Sequence, residues 1–105
     1  GLWAQSRVAE AGGGLRVHGD SVLLSCRGAG FAFENYGVRW YRQAPSARLE
    51  WVSSILYDSS FTKFGPSVEG RAAASWDSLW SKASLSLHAL NSQDSALYFC
   101  ATPVP

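Results

Sequence analysis

The sequence predicts an all-β domain of two stacked antiparallel sheets. Three observations carry that prediction. The segments Val22-Leu23-Leu24-Ser25-Cys26, Ala83-Ser84-Leu85-Ser86-Leu87 and Ala96-Leu97-Tyr98-Phe99-Cys100 alternate between two sets of side chains. A period of two marks strands with two different faces. No helical period competes over a useful length. Finally, Cys100 and Cys26, the two cysteines of the chain, stand on well-separated alternating runs. Trp40 follows the first cysteine by fourteen residues, and Tyr98 precedes the second by two. Physically this is a disulfide joining two sheets, an indole packed on the sulfurs, and a tyrosine corner whose hydroxyl satisfies nearby backbone.

Taken in order, Arg7 to Ala11 is expected to be the first edge strand. Gly12-Gly13-Gly14 is a flexible crossing between sheets. It is no phosphate cradle, because no helix pattern or Lys-Ser/Thr follows it. Val17-His18-Gly19-Asp20 reads as a turn. The next strand points Val22, Leu24 and Cys26 inward, and Phe31 and Phe33 are expected to plug the core beneath the first loop. The strand around Trp40 carries Val38 and Trp40 inward, with Arg39, Tyr41 and Gln43 outward. Ala44-Pro45-Ser46-Ala47 is a turn, where proline fits by fixing φ. Leu49 to Ser53 is a strand, followed by a hairpin around Asp58-Ser59-Ser60. Arg71 to Trp76 and then Ala83 to Leu87 complete the strands before the last.

A chain of 105 residues is one domain, large enough for a core and small enough to gain from a cross-link. The net charge of +1 and the lack of a basic cluster give no reason to expect nucleic acid. No apolar run approaches the ~20 residues that a membrane-spanning helix requires. A disulfide persists in an oxidising setting, which places the expected location outside a cell, either secreted or on a receptor ectodomain. His18 and His88 are isolated from ligand-spaced cysteine or carboxylate, so neither a metal nor another cofactor is expected. No Gly-x-Ser-x-Gly elbow accompanies the serines, and the expectation is that the protein is not an enzyme.

The chain resembles the immunoglobulin variable-type domain, in particular the heavy-chain type. The matching stretches are Gly12-Gly13-Gly14-Leu15, Val22 to Cys26, Gly30-Phe31-Ala32-Phe33, Trp40-Tyr41-Arg42-Gln43-Ala44-Pro45, Leu49-Glu50-Trp51-Val52 and Asp94 to Cys100. They cover about Gln5 to Thr102. The domain is therefore set at 5–105, with residues 1–4 a leader remnant or an expression scar. The resemblance implies a Greek-key sandwich, and a salt bridge between Arg71 and Asp94 closing its lower end. It also implies antigen recognition by an adaptive immune receptor, antibody or T-cell receptor, through loops at the other end. Those loops carry Glu34, Asn35, Tyr36 and Gly37, then Tyr57, Asp58, Ser59, Ser60 and Phe61 flanked by Lys63, then Thr102, Pro103, Val104 and Pro105. Tyrosine and phenylalanine give contact area at low rotamer cost, while Asn, Ser and Asp adapt their hydrogen bonds. The implied partner is a protein or peptide antigen.

A second variable domain or another receptor chain is a further candidate partner, through a face formed by Tyr41, Gln43, Arg48, Leu49, Trp51 and Phe99. Tyr41 and Arg48 depart from the usual Val and Gly there, and a charge on a face to be buried is costly. That departure points to an unpaired or unusually paired domain. Three other departures stand out. Ala72 and Ala74 occupy inward positions usually held by large apolar side chains, with Trp76 on the same face able to fill part of the gap. Leu79 and Trp80 fall in a turn where polar residues are normal. The family's last strand is missing after Thr102, which leaves an unpaired edge expected at Phe99. The alternative readings are a non-rearranging variable-type adhesion or co-receptor module, or a subunit that borrows its last strand, either of them binding through the sheet face.

Overall fold

The computed structural model describes residues 7–10, 19–27, 37–45, 48–56 and 61–102. These form eight strands: β1 (Arg7–Glu10), β2 (Val22–Arg27), β3 (Val38–Gln43), β4 (Glu50–Ile55), β5 (Thr62–Phe64), β6 (Ala72–Asp77), β7 (Lys82–Leu87) and β8 (Leu97–Thr102). One sheet has the order β1-β8-β3-β4-β5 and the other β2-β7-β6, with every pairing antiparallel. The two-layered, all-β prediction holds. Gly12 to Gly14, His18, Phe31 and Phe33 lie outside the described residues.

Alternation sets the core. Leu24 and Cys26 of β2, Val38 and Trp40 of β3, Ala83, Leu85 and Leu87 of β7, and Cys100 of β8 are buried in one cluster. The Cys26–Cys100 disulfide ties the two sheets across it. Trp40 is fully buried, and its neighbour in the β3–β8 register is Cys100. The indole thus sits where the sulfurs cross between layers.

β4 breaks the alternation. It runs Glu50–Ile55 rather than Leu49 to Ser53, because Ser54 and Ile55 still pair with Arg39 and Val38 on one side and Lys63 and Thr62 on the other. The register jumps from Trp40↔Ser53 to Tyr41↔Trp51, so β4 carries one extra residue at Val52. Such a bulge re-phases the strand. Val52 and Ser53 are accordingly both buried, and Ser53 Oγ donates to the carbonyl of Lys63 at 3.0 Å.

The alanines of β6 are accounted for across the strand pair. Ala72 lies opposite Leu87, Ala74 opposite Leu85 and Trp76 opposite Ala83. Each small side chain faces a large one, and all three β6 residues pack against the core. Cross-strand neighbours of complementary size share the filling of the layer.

One expectation is overturned. The outer edge of β8 is not unpaired at Phe99: β1 lies along it, with Glu10 opposite Phe99 and Arg7 opposite Thr102. β8 is the second strand of its sheet and β1 the edge. A strand edge is a row of unsatisfied donors and acceptors, and the N-terminal segment satisfies it over four residues.

Candidate functional site

The strand directions gather the loops. β3 begins at Val38 opposite Ile55, the end of β4, while Ile55 also faces Thr62, the start of β5. Arg39 pairs with Ala101, so β8 ends at the same place. In the other sheet β2 ends at Arg27 opposite Lys82, which in turn faces Asp77. The disulfide joins Cys26, one residue before that end, to Cys100, two residues before Thr102. The ends of β2 at Arg27, β4 at Ile55, β6 at Asp77 and β8 at Thr102, and the starts of β3, β5 and β7, therefore lie at one end of the sandwich.

Of the residues expected to contact antigen, Glu34, Asn35, Tyr36, Tyr57, Asp58, Ser59, Ser60, Pro103, Val104 and Pro105 lie outside the described residues. Phe61 and Lys63 are exposed at the loop end, with Lys63 Nζ 5.5 Å from the centre of the Phe61 ring. That is a cation over an aromatic face. Gly37 is buried with φ 76°, and a Cβ on it would stand 2.7 Å from the Ile55 carbonyl oxygen. Its glycine is explained by backbone approach between β3 and β4. Thr102 is fully buried.

The turn between β6 and β7 belongs to the same end. Asp77 Oδ1 accepts hydrogen bonds from the backbone N–H groups of Leu79 and Trp80 at 3.0 and 3.3 Å. A short acidic side chain folding back on its own turn pre-shapes it. Leu79 is left 82% exposed and Trp80 57%. The Arg27 guanidinium sits 5.7 Å from the Trp80 ring centre.

On the outer face of the larger sheet the expected pairing residues form a cross-strand row. Tyr41 lies opposite Phe99 on β8 and opposite Trp51 on β4, so three aromatics run side by side across β8, β3 and β4. All three are half-buried, and Trp51 Nε1 donates to Ser54 Oγ at 2.9 Å. Gln43, Arg48 and Leu49 are exposed around the row.

The opposite end is closed by charge. Arg71 Nη1 stands 2.8 Å from Asp94 Oδ2, the pair anticipated from the sequence. Asp94 also binds Arg42, whose Nη1 donates to Oδ1 at 2.9 Å. Arg42 is only 5% exposed, and its Nε donates to Glu50 Oε1 at 2.7 Å and its Nη2 to Ser67 Oγ at 3.2 Å. Sequence reading missed Arg42 and Glu50. The signal was present: Val38 in, Arg39 out, Trp40 in, Tyr41 out leaves Arg42 pointing in, and a buried guanidinium demands carboxylates. Tyr98 Oη donates to the Asp94 carbonyl at 2.7 Å, the expected tyrosine corner, and accepts from Arg42 Nη1 at 3.1 Å.

Asp94 is the hub. A single turn of 3-10 helix, Ser92–Asp94, aims it: Asn91 Oδ1 accepts from the Gln93 N–H, and Asp94 Oδ2 accepts from the Asn91 N–H, both at 2.9 Å. Burial alone would raise its carboxyl. Hydrogen bonds from Arg71, the Asn91 backbone and Arg42 outweigh burial and hold the pKa at about 2. Burial likewise works against the charge on Arg42, and the bonds to Glu50, Tyr98 and Asp94 overcome it, leaving its pKa raised.

A disulfide-clamped antiparallel sandwich with a buried tryptophan and a tyrosine corner defines the class: an immunoglobulin-type domain. A family model for the immunoglobulin V-set domain matches residues 15–105, and the chain belongs to that family. V-set domains are typically non-enzymatic recognition modules that bind other proteins. Among the described residues no cluster of His, Cys, Asp and Glu could hold a metal ion, and no helix is long and apolar enough to cross a membrane.

Proposed function

We propose that this domain is the antigen-recognising variable domain of an adaptive immune receptor, acting outside the cell through the loops at one end of the sandwich. The observation that carries the reading is that the strand ends Arg27, Val38, Ile55, Thr62 and Thr102, which border the loop segments of the sequence, meet at that end. The exposed Phe61 and Lys63 supply apolar and cationic contacts beside them. Loops there vary without disturbing the core, which is why recognition collects on them. The ligand is a protein or peptide, held by side-chain contacts and no covalent chemistry. The heavy-type stretches around Trp40 and Trp51 favour an antibody heavy chain or a receptor chain with a heavy-like domain. Exposed Arg48 favours a domain that works unpaired or in an unusual pair.

A second reading rests on a separate observation, the Phe99–Tyr41–Trp51 row. Aromatic side chains anchor protein interfaces. A sheet face of this kind serves a second variable domain, or an adhesion or co-receptor contact by a non-rearranging module. One experiment separates the two. A protein ligand is selected by display on the intact domain, and its affinity is measured for Y57A/F61A and for Y41A/W51A. Antigen recognition predicts at least a tenfold loss in the first variant and little change in the second. The reverse pattern gives the sheet face the binding role.

A further inference from the structure

β6 is an edge of the smaller sheet. β7 lies along one side of it, and among the described residues no strand lies along the other. Its neighbour fixes the direction of its backbone groups. The His88 N–H donates to the Arg71 carbonyl at 2.8 Å, one step ahead of the ladder in which Ala72 faces Leu87. Successive residues of an antiparallel strand aim their N–H and C=O groups to opposite sides. Ala73 and Ser75 therefore bond β7, and Ser86 Oγ donates to the Ala73 carbonyl from β7 at 3.4 Å. Ala72 and Ala74 aim their groups at the open side. Natural edges are commonly blunted by proline, lysine or a bulge. Ala72–Asp77 contains neither proline nor lysine, and its register with β7 is unbroken. Residues 72–75 are alanine and serine, so no large side chain among them bars an approaching strand.

We propose that the open edge of β6 is a self-association site, where a second copy of this chain adds its own β6 antiparallel about a two-fold axis at Ala74. On that axis Ala74 of each copy exchanges both N–H···O=C bonds with its mate. The same register sets Ala73 opposite Ser75, and Arg71 opposite Asp77 at both ends, so that opposite charges meet. It also sets Trp76 opposite Ala72, a match of large to small like those β6 makes with β7. A self-complementary contact of this kind closes as a dimer. One strand from each copy is a small interface, so the dimer is expected to be weak and concentration-dependent. This inference goes beyond the antigen-recognition reading and does not rest on it.

Sedimentation of the intact domain at rising concentration reads the dimer. Two charge variants at Ala73 and Ser75, both exposed, test the register while leaving the core untouched. A73K/S75K sets lysine against lysine across the axis and is expected to raise the dimer Kd at least about tenfold. A73E/S75K sets opposite charges there and is expected to associate at least as tightly as the parent chain. A parent chain that stays monomeric up to about 1 mM overturns the proposal. So does equal association of the parent and A73K/S75K, or of the two variants. A dimer lost in Y41A/W51A and kept in A73K/S75K belongs to the aromatic row of the other sheet, and equally overturns it. Should a variant fail to fold, amide exchange of the parent chain decides. Protection of the Ala74 N–H is expected to rise at least about tenfold with concentration while that of Ser75 stays constant. An Ala74 rate indifferent to concentration refutes the pairing.

Discussion

Asp94 concentrates the electrostatics of the molecule in one carboxylate, bridged to both Arg42 and Arg71. Its side chain is buried, so the pairs are little screened by solvent, unlike surface ion pairs. Because its folded pKa is about 2 against the ordinary 3.8, the stabilisation is complete at neutral pH and lost as pH falls through about 2. The loss amounts to about 2 kcal/mol. Urea denaturation at pH 7, 4 and 2 measures it, and a D94N variant is expected to lack that part of the slope. At pH 7, D94N is expected to cost about 3 kcal/mol, since it leaves the buried Arg42 guanidinium with Glu50 alone as a charged partner. Removing Glu50 is expected to cost less, because its side chain is 42% exposed and water replaces part of what is lost.

At the scale of elements, the pairing of β6 with β7 makes a prediction from size alone. Trp76 stands opposite Ala83, whereas Ala72 and Ala74 stand opposite leucines. W76A puts alanine against alanine and is expected to destabilise the domain by about 2 kcal/mol, less than for a fully buried tryptophan because Trp76 is half-buried. A74L, facing Leu85, is expected to destabilise by about 1 kcal/mol or more through overpacking. Thermal unfolding of the two variants checks both signs. Most of this architecture was legible beforehand. Alternation over Val22–Cys26, Ala83–Leu87 and Ala96–Cys100 located β2, β7 and β8; β2 and β7 each have one face in the core and one outside it, whereas β8 is buried on both faces from Cys100 to Thr102. Three features were not read from the sequence, each for its own reason. The bulge at Val52 is a property of the pairing with β3 and leaves no mark in β4 alone. The seating of β1 on β8 depends on which edge is open once the sheet has formed. Arg42 was hidden in plain alternation, since an inward charge makes sense only when Glu50, Ser67 and Asp94 are known to meet it. At the candidate site, Phe99, Tyr41 and Trp51 were named from the sequence as one face, and the strand register sets them side by side. The contacts made by the loops were read from residue type, and many of those residues lie outside the described part of the chain.

The whole molecule is a clamp with one closed end and one open end. The charge network around Asp94 seals the first, and the second carries the ends of β2, β4 and β8 together with the exposed Leu79–Trp80 turn. Between them the Cys26–Cys100 bridge closes a loop with a sequence separation of 74. Constraining the unfolded chain by such a loop stabilises the fold by about 4 kcal/mol. C26A/C100A is expected to lower the urea midpoint accordingly, with no change in far-UV circular dichroism if it folds. The core, the disulfide and the charge network hold the sandwich by themselves among the described residues, and that is the premise of the functional reading. Its most direct test is a hydrogen-exchange footprint of a display-selected protein ligand on the intact domain. The account predicts new protection confined to segments 28–37 and 56–63. Protection confined instead to β3, β4 and β8 around Tyr41, Trp51 and Phe99 would contradict it.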